Sequence, residues 1–161
     1  MSGALYDMEH RHDPAAGTVG DCWRACIATV TGIPIGKVPH FVGDHYDEDT
    51  AGALLDPPAV SKWFEATQEW LRFRFNYLCL YYDQPEAMYP HNRAEPSAFP
   101  WVIWSGQSPR GDWKHCVVGS QDGHMIHDPH PSRAGCTDLD GVFVIVRAED
   151  WREPVPHEGG A

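Results

Sequence analysis

No stretch of this chain reaches the about 18 consecutive apolar residues that a membrane-spanning helix needs, so no spanning segment is expected. The first residues, Met1 to His10, have neither a basic start nor an apolar core, which excludes a secretory signal and points to the cytoplasm. Positive charge is scarce. Twelve Lys and Arg stand against 23 Asp and Glu, for a net charge of −11, and the basic residues form no cluster. Such a balance argues against nucleic acid or an anionic membrane as a partner. There is no Cys-x-x-Cys pair and no helical His-x-x-x-His, so no metal is expected, even at His124, His127 and His130 around Asp128. Nothing suggests another cofactor. Internal repeats are absent, and no Gln or Asn precedes Gln68.

What the chain does have is apolar and aromatic material. Hydrophobic residues make up 42% of 161 positions, with seven Trp, six Tyr and six Phe. That is enough for one packed domain. The five cysteines are an odd number, and without export they read as free thiols. Residues 1–17 read as an irregular lead-in, residues 18–148 as the domain, and residues 149–161 as a polar tail.

Within the domain, Asp21 or a neighbour can cap a helix on which Cys22, Cys26, Ile27 and Val30 follow a helical spacing, and Gly32 with Pro34 ends it. Ile33 to Phe41 allows only a short helical turn, and Asp44 to Asp56 reads as an acidic loop. A second helix is expected from an Asp56 cap through Pro57 and Pro58, with Val60, Trp63, Phe64, Thr67, Trp70 and Leu71 at helical spacing. Strands are predicted over Phe73–Tyr82, Phe99–Trp104 and Val142–Arg147, and a hairpin over His115–Asp128. Surface loops are expected over Asp83–Pro96 and Ser105–Trp113. Helices first and a mostly antiparallel sheet after them make an α+β domain.

The hairpin carries chemistry. With Gln121-Asp122 as a two-residue turn, His115 faces Asp128; with Asp122-Gly123, Asp128 faces Val117, on the same side of the sheet as His115. Either register leaves imidazole and carboxylate about 5 Å apart or one diagonal apart. A three-residue loop with a bulge would break that parity. A carboxylate so placed fixes the tautomer of the imidazole and stabilises its charged form.

Cys22 is the cysteine placed at a helix N-terminus, where backbone N–H groups favour a thiolate. Cys26 reads as a core residue, Cys79 as part of an aromatic strand, Cys116 as pointing opposite to His115, and Cys136 as a loop residue. Cys22, His115 and Asp128 therefore supply the thiol, base and orienter of an acyl-transfer site. Trp113, two residues before His115, could shield the pair from water, and Arg110, on the preceding loop, could recognise a carboxylate. His127 would line the cleft or hold the Asp128-Pro129 turn.

Asp21-Cys22 opening a helix, a distant His115 in a Val-rich strand, and Asp128-Pro129 after the next strand resemble the papain-like cysteine peptidases. The resemblance is greatest to the branch that processes bacteriocins at double-glycine leaders. The strings Cys26-Ile-Ala-Thr-Val-Thr-Gly-Ile-Pro34, Val38-Pro-His-Phe41 and His127-Asp-Pro-His-Pro-Ser-Arg-Ala-Gly135 resemble small bacteriophage proteins related to that branch.

The resemblance covers about residues 18–147. It implies an N-terminal helix packed on an antiparallel sheet, with Cys22 as nucleophile, His115 as general base and Asp128 as its orienter. It implies a peptidase, amidase or isopeptidase acting on a peptide, protein or small amide in the host cytoplasm. The same residues would serve an amide-forming transferase. Relatives in this branch usually carry a Gln a few residues before the nucleophile as an oxyanion donor. Its absence here leaves that role to Thr18, an early histidine or a backbone amide. It also opens the alternative of an inactive, papain-like binding protein that sequesters a host molecule.

Overall fold

A computed structural model describes residues 3–46, 61–83 and 97–152. Among these, three α-helices precede a five-stranded sheet, which is the expected α+β class. The helices are α1 (Cys22–Thr31), α2 (Phe41–Asp44) and α3 (Lys62–Phe75). The strands are β1 (Tyr77–Tyr82), β2 (Trp101–Gln107), β3 (Lys114–Ser120), β4 (Met125–His127) and β5 (Thr137–Arg147). All neighbours are antiparallel, in the order β1-β5-β2-β3-β4.

Gly32 ends α1 as its sequence predicts: it sits at φ 72°, and its N–H donates to the Ala28 carbonyl. A 3-10 turn at Ile35–Lys37 follows, the short helical turn expected there. The second predicted helix begins later than Asp56. Its N-cap is Ser61, while Asp56, Pro57, Pro58 and Val60 lie outside the described residues. It also runs further, through Phe73 to Phe75. The alternating aromatics there mimic a strand. Arg72 and Arg74 in the last turn, however, complement the helix C-terminus, and Asn76 at φ 57° closes the helix before β1 starts. Most of the predicted 83–96 loop and of the 149–161 tail lies outside the described residues.

The central strands β5, β2 and β3 are apolar on both faces. One face sends Ile103, Cys116, Val118, Phe143 and Ile145 against Trp23, Cys26, Ile27 and Val30 of α1 and Phe64 and Leu71 of α3. The opposite face buries Val102, Trp104, Val117, Val142, Val144 and Val146. Trp23 anchors the helix layer, with its indole edge-on to Phe143 at 4.6 Å and its Nε1–H donated to Thr67 at 3.0 Å. Packing α1 across β3 sets the first turn of the helix above the start of that strand.

β2 is longer than predicted, because Ser105-Gly106-Gln107 continues the strand instead of opening a loop. Gly106 pairs with His115, and a Cβ there would lie 2.5 Å from the Thr137 carbonyl oxygen. That glycine serves a close approach between strands, not a turn.

Candidate active site

Cys22 is the first residue of α1 and is half-buried. The expected cap is corrected: Asp21 makes no side-chain cap bond. Its backbone, at φ −111° and ψ 32°, departs from the extended conformation of a capping residue. Its fully buried carboxylate accepts the His10 N–H at 2.9 Å and faces the Arg24 guanidinium at 3.3 Å. The charge that would have sat on the helix end is turned toward the N-terminal segment and paired. The first N–H groups of α1, which have no partner within the helix, are left to the thiol and whatever binds it.

Beside the sulfur lies His115, with only 3% of its surface exposed. The Cys22 thiol shares the cavity lining with Cys116 and the His115 ring, and both groups lower its pKa. The Nε2–H of His115 donates to Oδ1 of Asp128 at 2.7 Å, which leaves Nδ1 to face the sulfur. Asp128 is buried, and its carboxylate is saturated: Oδ1 also accepts the His130 N–H at 2.8 Å, and Oδ2 accepts the Gly135 N–H at 2.7 Å.

The hairpin reaches this arrangement by neither two-residue turn. Ser120 N–H donates to the His124 carbonyl, so Gln121 to Gly123 form a three-residue loop, with Gly123 at φ 92°. That loop alone would have turned Asp128 to the wrong face. A second slip, the bulge that places Gly119 opposite Met125 but Val118 opposite His127, restores the parity. Carried on by one residue, this register puts Asp128 opposite Val117, on the same side as His115.

Charge is distributed as an ion pair. Hydrogen bonding from Cys116 holds the Cys22 thiol well below its ordinary range, opposed by burial and helped by His115. Burial pushes His115 down, but the hydrogen bonds to Asp128 and Cys22 outweigh it and raise the imidazole to about 9. Asp128 is pushed up by burial and down by His115 and the two backbone N–H groups, ending at about 2. The other thiols go the opposite way. Burial raises Cys26 and Cys79, burial raises Cys136 to about 12, and the hydrogen bond to Cys22, with burial, raises Cys116. Cys22 is the thiol that these surroundings ionise.

A cavity of about 330 Å³ opens over the sulfur, lined by Cys22, His115 and Cys116 at its base. Trp23, Trp63 and Val42 form an apolar wall, and Arg11, Arg110 and Lys114 contribute cations. One wall comes from the segment expected to be only a lead-in. Residues 3–20 are tied down by Tyr6 N–H to Thr29 Oγ1 (2.9 Å), Met8 N–H to the Pro129 carbonyl (3.0 Å), Glu9 to Arg24 (2.6 Å) and Asp7 to Arg133 (2.6 Å). Met8 and His12 thereby join the cavity lining.

His12 is the early histidine that the structure brings to the site. Its Nδ1 accepts the Gly20 N–H at 3.5 Å, so a neutral ring carries its proton on Nε2. Burial keeps it below the ordinary imidazole range, against the pull of the Cys22 charge. Its ring stands 5.0 Å from that of Trp113. Trp113 is accordingly a half-buried wall of the cavity and not a core residue. Its indole covers Gly111 so closely that a Cβ there would lie 1.8 Å from the ring.

The remaining predicted residues divide. Arg110 lines the cavity, bonded to Ser132 at 3.0 Å and 4.0 Å from Asp128. Thr18 does not line it; its backbone is paired with Asp13, which does. His127 does not line it either. It faces the N-terminal segment, 3.0 Å from the Tyr6 carbonyl and 3.3 Å from Asp7. His130 lines the cavity instead, edge-on to His115 at 6.4 Å between ring centres. Cys116 is the residue that alternation misjudged: it does lie on the other face of β3 from His115, but that face is the one α1 covers, directly under Cys22.

Among the described residues no single helix is long and apolar enough to cross a membrane. No family model matches the chain, and no curated protein or solved structure matches it either.

Proposed function

We propose that this protein is a papain-like cysteine hydrolase acting on an amide or isopeptide bond, with Cys22 as nucleophile, His115 as acid–base and Asp128 as the residue that orients it. The observation that carries this reading is the buried His115–Asp128 hydrogen bond of 2.7 Å, at the cavity that Cys22 and His115 line together. A thiol at the N-terminus of the first helix, packed on an antiparallel sheet that supplies the imidazole and carboxylate, supports the papain-like assignment.

The thiolate of Cys22 attacks the carbonyl carbon, and its electron pair forms the C–S bond. The protonated His115 gives its proton to the leaving amine as the C–N bond breaks, which leaves a thioester. Water, deprotonated by the now neutral His115, then resolves the thioester to the acid. An amine arriving in place of water would give transfer with the same residues. The apolar wall of the cavity fits an apolar substrate segment.

The tetrahedral intermediate needs donors for its oxygen. The backbone N–H of Cys22 is one. The Nε2–H of His12 is the second, in the role the absent upstream glutamine would have filled. His12→Ala is expected to lower kcat on an amide substrate by about 10²-fold, the usual cost of losing one oxyanion donor, while Cys22 stays reactive toward a small alkylating agent. Steady-state kinetics beside iodoacetamide labelling separates the two effects.

The test of the reading as a whole is labelling with iodoacetamide at pH 6, followed by mapping of the adduct by mass spectrometry. A single adduct at Cys22, lost in His115→Ala, is expected. Labelling of Cys79 or Cys136 with Cys22 silent would overturn the assignment. A labelled Cys22 that cleaves nothing across a panel of fluorogenic amides would favour a binding protein.

A further inference from the structure

Acyl transfer as written above uses one thiol, yet a second lies against it. Cys116 is 8% exposed, lines the same cavity as Cys22 and packs in the same core cluster, and the two thiols shift one another's ionisation in opposite directions. The contact with Cys116 helps to hold Cys22 as a thiolate, but no bond to the Cys116 sulfur is made or broken in hydrolysis. Of the other thiols, Cys26 is fully buried one turn further along α1, and Cys136 packs with the opposite face of the sheet. Cys116 is the one thiol positioned to react with an oxidised Cys22.

We propose that Cys22 and Cys116 form a peroxide-sensitive dithiol, in which Cys22 is oxidised first and Cys116 resolves it as an intramolecular disulfide. The access route is the cavity: half-buried Cys22 lines it and is reachable by a molecule the size of hydrogen peroxide, whereas Cys116 is the more buried of the two. The Cys22 thiolate attacks one peroxide oxygen, the O–O bond breaks, and hydroxide leaves. Sulfur has lost two electrons and becomes a sulfenic acid, and the peroxide is reduced. The Cys116 sulfur then attacks the sulfenic sulfur, the S–O bond breaks, and the departing hydroxide takes the Cys116 proton as water. Overall two thiols and one peroxide give a disulfide and two waters.

The disulfide would set the two sulfurs about 2.05 Å apart. The disulfide removes the nucleophile from the cavity until a thiol reductant restores it. It also protects Cys22 from the irreversible sulfinic and sulfonic acids. The proposal depends on the position of two sulfurs and not on the hydrolase reading, and its readout is covalent, so the two can fail separately.

The experiment treats the full chain with a small excess of hydrogen peroxide, then measures intact mass and alkylatable thiols and maps the peptides. The oxidised protein is expected to be two hydrogens lighter and two thiols short, with a Cys22–Cys116 crosslink that dithiothreitol reverses completely. In Cys116→Ala and Cys116→Ser, Cys22 is expected to proceed to the sulfinic acid, which dithiothreitol does not reverse. Overoxidation of Cys22 in the unmodified protein, or a crosslink from Cys22 to Cys26 or Cys136, would overturn the proposal. The crosslink map of the unmodified protein decides the matter even if a variant does not fold.

Discussion

Cys22→Ala is expected to lower turnover of any amide substrate by about 10⁶-fold, to the residual rate that substrate binding and oxyanion donors supply without a nucleophile. Cys22→Ser should fare no better. A serine hydroxyl must hand its proton to a neutral imidazole, and His115 is held protonated up to about 9 by Asp128 and Cys22. Without the thiolate that pull weakens, but the bond to Asp128 remains. Neither variant should melt below the parent protein, because each removes a charge from a half-buried position and no packing partner larger than a sulfur. Progress curves with a fluorogenic amide and a thermal melt check both parts. Turnover in Cys22→Ala within tenfold of the parent would sink the assignment of the nucleophile.

Asp128→Ala is expected to cost more in stability than any other single change at the site. The carboxylate is almost wholly buried and receives three hydrogen bonds, from His115 and from the N–H groups of His130 and Gly135. Removing it leaves those donors unpaired in the interior, at a cost of about 3 kcal/mol or more. Asn is only a partial replacement. Its one oxygen can serve His115 and His130 or serve Gly135, and its NH₂ then confronts whichever donors remain.

The pH profile gives an independent reading of the same residue. Raised to about 9, His115 keeps its proton, and the acid-competent form of the site persists until the pH climbs through that value. At the acidic end activity falls when the depressed Cys22 thiolate takes up a proton. Asp128→Asn replaces the charged acceptor of the strongest hydrogen bond supporting the imidazolium, so the alkaline limb is expected to move down from about 9 toward the ordinary imidazole range. A kcat/KM profile measured on the parent and on Asp128→Asn checks this. An unmoved alkaline limb would mean that Asp128 does not govern His115.

Linkage thermodynamics gives Asp128 a matching signature. A carboxyl depressed to about 2 in the folded protein contributes stability that is fully present above its ordinary value near 4. That contribution is lost as the pH falls through the native value of about 2. Acid unfolding of the parent should therefore be displaced to lower pH relative to Asp128→Asn.

Several features of the site were legible in the amino-acid order because they rest on local periodicity. Helical spacing from Cys22 to Val30 with Gly32 behind it located α1, and with it a thiol at a helix N-terminus. Period-2 alternation around the Gln121–Gly123 turn brought His115 and Asp128 to one face. The route was misjudged, since a three-residue loop and a compensating bulge replace a single tight turn. The outcome survived because two one-residue slips cancel. Where two local rules competed, as at Phe73 to Phe75, aromatic alternation suggested a strand, and the helix persisted to Asn76.

By itself the sequence determined which elements form, which thiol heads a helix, and that an imidazole and a carboxylate share a side of the sheet; these are short-range matters, set by side chains within a few residues of one another. Tertiary structure alone decided that α1 crosses the start of β3 and so sets the Cys22 sulfur on both His115 and Cys116. It also decided that the N-terminal segment, strapped down by Asp7, Glu9 and Asp21, carries His12 to the cavity. Contacts between residues some hundred positions apart depend on how whole apolar faces pack, and no local spacing encodes that.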